Sequence, residues 1–83
     1  MMKIVILQPD ENGDYIKKGE CSNLKSLNEM VQDFAANVYC RDFIINMDFN
    51  DGTEPRSFSL TSYCNWQGIP IKWDKRNNKN GGQ

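Results

Sequence analysis

The chain has 83 residues, of which 39% are hydrophobic and 25% charged, with ten Lys/Arg against eleven Asp/Glu for a formal net charge of −1. That composition supports one small domain, leaves no material for a second core, and is too apolar and too nearly neutral for a disordered chain. No apolar run approaches the roughly 18–20 residues that span a bilayer, so a soluble, cytoplasmic domain away from membranes is expected.

Residues 3–7, Lys3-Ile4-Val5-Ile6-Leu7, are apolar on both faces and rich in β-branched side chains, as in a central strand. Gln8-Pro9-Asp10-Glu11-Asn12-Gly13-Asp14 is dense in turn formers, and Asn12-Gly13 tolerates the positive φ of a tight connection. Residues 15–21 then read as a returning strand, polar enough to lie at an edge. The helix signal follows. Ser26-Leu27-Asn28-Glu29 matches a capping box, and Leu27, Met30, Val31, Phe34, Ala35 and Val38 form one stripe at helical spacing, which predicts a helix over about 27–38.

Beyond Tyr39-Cys40 the period changes to two. Phe43, Ile45, Met47 and Phe49 alternate with Ile44, Asn46 and Asp48. After Asn50-Asp51-Gly52, alternation resumes over 57–64, with Phe58, Leu60 and Cys64 on one side and Ser57, Ser59, Thr61 and Tyr63 on the other. This predicts a second antiparallel hairpin. Ile69-Pro70-Ile71-Lys72-Trp73 could add a fifth, edge strand, since Pro70 lacks a ladder donor. From Asp74 to Gln83 nothing apolar remains, and a flexible, basic polar tail is expected after a domain of residues 1–73. The expected fold is α+β in ββαββ(β) order, with one helix on an antiparallel or mixed sheet of four or five strands. That order is compatible with the β-grasp arrangement, among other small folds.

Chemistry-bearing patterns are scarce. Cys21, Cys40 and Cys64 are odd in number and widely spaced, without a C-x-x-C pair, and histidine is absent. A disulfide scaffold, a four-ligand zinc site and the His-dependent triads therefore lack their residues, and reduced, mostly buried thiols are expected. Calcium loops starting at Asp10 or Asp48 fail: the first has Tyr15 at position 6 and Cys21 at position 12, and in the second Gly52 comes one place early. Neither a Walker A lysine loop nor G-x-G-x-x-G occurs. No cofactor, metal or catalytic constellation is expected.

Three binding readings remain. Residues 1–70 carry six Lys/Arg and ten Asp/Glu, net −4, whereas 71–83 carry Lys72, Lys75, Arg76 and Lys79 against Asp74, net +3. A basic tail beside Trp66 and Trp73 fits nucleic-acid binding by phosphate attraction and base stacking, opposed by the acidic body. Gly81-Gly82-Gln83 resembles the carboxyl terminus of the prokaryotic ubiquitin-like modifier Pup, which implies a covalently attached modifier; the resemblance spans three residues. The third reading is protein recognition through Tyr63, Trp66, Trp73, Lys72 and Arg76, with aromatic and basic side chains of the kind that dominate interface energetics. One of Trp66 and Trp73 is expected to be substantially exposed. By exclusion this third reading leads: a non-enzymatic module that occupies a surface of a larger protein. In size it is similar to the small inhibitors and adaptors encoded by phages and mobile elements, anti-defence proteins included.

Overall fold

The computed structural model describes residues 2–73. The elements are β1 (Lys3–Pro9), β2 (Tyr15–Cys21), α1 (Leu24–Ala35), a 3-10 turn (Val38–Cys40), β3 (Ile44–Asp48), β4 (Arg56–Ser59) and α2 (Leu60–Gln67). The fold is small α+β, in β-β-α-β-β-α order, and its four-stranded sheet is antiparallel throughout with order β2-β1-β3-β4. β1 is interior, as its two-sided apolar character requires, and β2 is an edge. The expected tail, with Arg76 and Gly81-Gly82-Gln83, lies outside the described residues.

The sheet has one covered face. Register pairs Ile4 with Met47, Ile6 with Ile45 and Ile45 with Phe58, so these side chains share a side. Ile4, Ile6, Ile45 and Met47 are buried in one cluster with Leu27, Val31 and Ala35 of α1 and Leu60, Tyr63 and Cys64 of α2. Both helices thus lie on that face. The opposite face carries Val5, Leu7 and Ile44, all half-buried, beside Asn46 and Asp48, and no described element lies over it.

The first turn follows from its polar residues. Asp10 Oδ1 accepts the amides of Asn12 at 2.8 Å and Asp14 at 2.9 Å, and Gly13 takes φ +87°. These acids close a turn, as Asp51 does by accepting from the Thr53 amide and hydroxyl. A bulge shifts the β1–β2 register between Ile6 and Leu7. It leaves Lys18 without an opposite residue and puts Lys17 and Glu20 on one side, where they form an ion pair at 2.8 Å.

Three expectations need correction. α1 begins three residues earlier than the capping-box reading, because Asn23 is the N-cap: its Oδ1 accepts from the Ser26 amide at 2.8 Å. It also ends earlier. The Ala36 amide turns back to the Asp33 carbonyl at 3.3 Å, and Asn37 Oδ1 caps the following 3-10 turn through the Tyr39 amide at 2.9 Å. Val38 therefore leaves the stripe and is 42% exposed.

The second correction concerns residues 57–64, expected as one strand. Only Arg56–Ser59 pairs with β3; Leu60–Gln67 is a helix. Ser59 Oγ accepts from the Ser62 amide at 3.0 Å, and Gly68, at φ +76°, closes the far end by donating to the Asn65 and Cys64 carbonyls. Leu60, Tyr63 and Cys64 are spaced i, i+3, i+4 and all face the core. The alternation at Phe58 and Leu60 was compatible with both periods, and the caps decide for the helix.

Third, the segment proposed as a fifth strand pairs with no strand. Ile69 and Ile71 are buried, and the Lys72 amide donates to the Ala35 carbonyl at 3.0 Å, which ties the chain across the end of α1.

Candidate functional site

α2 divides its aromatic residues between core and surface. Tyr63 is fully buried, and its hydroxyl donates to Asn28 Oδ1 at 2.6 Å, linking α2 to α1. Burial raises its pKa above the ordinary phenol value, with Cys64 and Cys21 adding to the shift. Tyr63 is thus a core strut and leaves the set of contact residues expected from the sequence. Three residues on, Trp66 lies at the margin of the helix stripe and is 67% exposed. Its ring stacks on Phe58 of β4, with centroids 6.5 Å apart and planes 19° apart, and meets Tyr63 edge-on at 5.8 Å. The indole is therefore exposed yet held by two rings.

The other expected contact residues separate. Trp73 is half-buried and donates through Nε1 to Thr61 Oγ1 at 3.1 Å, so it covers the first turn of α2. Lys72 is exposed. Arg76 lies outside the described residues. Of the tryptophan pair, Trp66 is the exposed member. No charged residue occurs between Ser57 and Ile71, so the surface around Trp66 on α2 is drawn from Ser62, Asn65 and Gln67.

A second aromatic outcrop escaped the sequence reading. Tyr39, in the 3-10 turn, is 85% exposed, and with Val38, Arg41 and Asp42 it lines a hollow of about 360 Å³. The signal was present in Asn37, whose side chain favours a new cap over continuation of the helix.

The thiols offer no activated nucleophile. All three cysteines are free, with Cys40 and Cys64 buried. Burial pushes the Cys64 thiol up to about 11 and raises Cys40 and Cys21 as well. Cys21 lines a hollow of about 540 Å³, together with Met2, Lys3, Glu20, Ser22 and Asn50. Its Sγ donates to the Asn23 carbonyl at 3.7 Å. The neighbouring Glu20 carboxylate is held below its ordinary pKa, first by its hydrogen bond to Lys17 and then by the charges of Lys17 and Lys3. The Glu20 charge adds to burial in disfavouring the Cys21 thiolate, whereas activated cysteines sit beside a cation such as Lys, Arg or protonated His. Among the described residues no group of three or more Cys, Asp or Glu side chains is placed to hold a metal ion, and no helix is long and apolar enough to cross a membrane.

Comparison with known proteins finds no family model, no curated protein and no solved structure that matches this chain.

Proposed function

We propose that this chain is a non-enzymatic protein-interaction module, an inhibitor or adaptor that occupies a surface of a larger protein with Trp66 at the centre of the contact. The observation that carries the reading is the Trp66 indole, 67% exposed and held in place by Phe58 and Tyr63. A large exposed ring that is already immobilised loses little further entropy on binding. It lies in a stretch without charged side chains, and interface centres are likewise rich in aromatic residues and poor in charge. The nucleic-acid alternative has less behind it. Trp73 is engaged with Thr61, and the described residues carry seven Lys/Arg against ten Asp/Glu.

The test is affinity purification with tagged wild-type chain, Trp66→Ala and Tyr39→Ala in parallel. The expected result is a protein recovered in stoichiometric amount by wild type and by Tyr39→Ala, and reduced about thirtyfold or more by Trp66→Ala. Tyr39→Ala controls for the loss of any exposed aromatic ring. Equal recovery by all three chains would overturn the assignment of Trp66. Salt-sensitive retention of an oligonucleotide, without a protein partner, would replace it with the nucleic-acid reading.

A further inference from the structure

The two edges of the sheet are built differently. β2 carries the devices that keep a strand edge from pairing: a bulge at Lys18, a glycine, and the charged Lys17, Lys18 and Glu20. β4 is shorter, four residues, with Arg56 at its start and Pro55 just before it, but it has no bulge, no glycine and no second charge. Its hydrogen-bond phase is fixed by the Leu60 amide, which donates to the Phe43 carbonyl at 2.9 Å. In an antiparallel ladder the bonded positions alternate, so Phe58 and Arg56 also point their backbone groups at β3. Ser57 and Ser59 point theirs outward. Among the described residues no group meets those two amides.

We propose that a second copy of this chain pairs with this edge, antiparallel to β4, about a two-fold axis passing between the two Ser57 residues. Each Ser57 amide donates to the other Ser57 carbonyl, and each Ser59 amide donates to the carbonyl of Pro55 in the second copy. The register follows from two peculiarities that match. Ser59 is the N-cap of α2, so its carbonyl is engaged by the first helical turn. The residue opposite it is Pro55, which has no N–H to offer. Registers that set Ser59 opposite Ser57, or opposite itself, would ask the occupied carbonyl to accept again.

The side chains are compatible with that register. Phe58 comes opposite Arg56 of the second copy on the helix-bearing side, and within its own chain that guanidinium lies over the Phe49 ring, 6.0 Å from its centroid. The two Arg56 side chains are kept apart. Because 57–71 lacks charge, the two-fold axis brings no like charges together along the rest of the edge. The contact is isologous and closes on itself, giving an eight-stranded sheet with all four helices on one side. Its short length places it below the roughly 1,000 Å² of a stable interface, so the dimer is weak and depends on concentration. This inference rests on the ladder phase and stands independently of the Trp66 partner reading.

The test is sedimentation velocity of the full chain across roughly a hundredfold range of concentration, with amide hydrogen exchange read at both ends of the range. Expected are a monomer–dimer equilibrium and slowed exchange at Ser57 and Ser59 only at high concentration. Ser57→Pro removes the outward donor without touching the β3 ladder and should weaken dimerisation about tenfold or more, since both symmetry-related bonds are lost. Ser57→Ala, which loses only the hydroxyl that accepts from Asn46 Nδ2 at 3.2 Å, should leave the dimer intact. A sedimentation coefficient that stays monomeric throughout would overturn the proposal. So would protection of the two amides that does not vary with concentration, since the chain's own residues would then cover the edge.

Discussion

Replacing Tyr63 with Phe removes one oxygen from the middle of the molecule and leaves the ring that fills the core. Its hydroxyl donates to Asn28 Oδ1 at 2.6 Å across the α1–α2 contact. A hydrogen bond of this kind contributes a net of roughly 0.5–1.5 kcal/mol. The acceptor left behind belongs to Asn28, which is half-buried, so water can reach it and the penalty for an unsatisfied group is reduced. The expected cost is therefore about 1 kcal/mol, a fall in Tm of about 4–8 °C for a domain of this size. Tyr63→Ala, which also empties the ring's space, should cost about 3–5 kcal/mol by analogy with other large aromatic truncations. Urea unfolding followed by tryptophan fluorescence measures both, with the m-value unchanged for Tyr63→Phe. A double-mutant cycle with Asn28→Ala isolates the pair, and the expected coupling is about 1 kcal/mol. A coupling of zero would show that the two side chains act independently and that α2 is held by apolar packing alone.

The revised start of α1 makes a paired prediction: Asn23→Ala should cost about 1 kcal/mol by removing the acceptor for the Ser26 amide, whereas Ser26→Ala should be nearly neutral in the same melts. Gly68→Ala forces a side chain onto a residue at φ +76° and should destabilise by roughly 1 kcal/mol in chemical unfolding, although a Cβ there would meet nothing within 4 Å. At alkaline pH the buried thiol gives a signed prediction. Burial pushes the Cys64 thiol from its ordinary 9.0 up to about 11, so its contribution is complete below 9 and is lost as pH rises through 11. Tyr63, also raised, loses stability in the same direction above its ordinary value of 10.0. Melting temperatures between pH 8 and pH 11 should fall less steeply for Cys64→Ala than for wild type; parallel curves would show that the thiol does not contribute.

The elements that could be read from residues were those in which one period dominated. β1 sits between β2 and β3 with Ile4 and Ile6 buried under the helices and Val5 and Leu7 half-buried on the other face, and that left an unambiguous run at Ile4-Val5-Ile6-Leu7. The α1 stripe was legible for the same reason, while its ends were not. Asn23 and Ser26 are both good caps, and two bonds in the folded chain distinguish them: the Ser26 amide to Asn23 Oδ1 at 2.8 Å and the Leu27 amide to the Asn23 carbonyl at 3.1 Å. The loss was greatest at 57–67. There a four-residue strand runs into an eight-residue helix, and each is too short for its period to be tested against the other. The terminators were nevertheless present in the sequence: Ser59 three residues before Ser62, and Gly68 directly after Gln67.

That error spread to the site. On a strand, Tyr63 would have faced out with Ser57, Ser59 and Thr61; on the helix it turns inward and Trp66 takes the exposed margin. The distinction matters for how contact residues are tested. An eight-residue helix is well below the length that is stable alone in water, and α2 contains no charged pairs to support it. It persists through the Ser59 cap, the Gly68 turn and the burial of Leu60, Tyr63 and Cys64, so the orientation of Trp66 is inherited from the core beneath it. For the proposed contact, a core substitution such as Tyr63→Ala should therefore weaken binding although its side chain would not touch the partner. Trp66→Ala separates presentation from contact: it removes an exposed ring while the caps and the buried stripe remain, so a binding loss at unchanged Tm belongs to the indole itself.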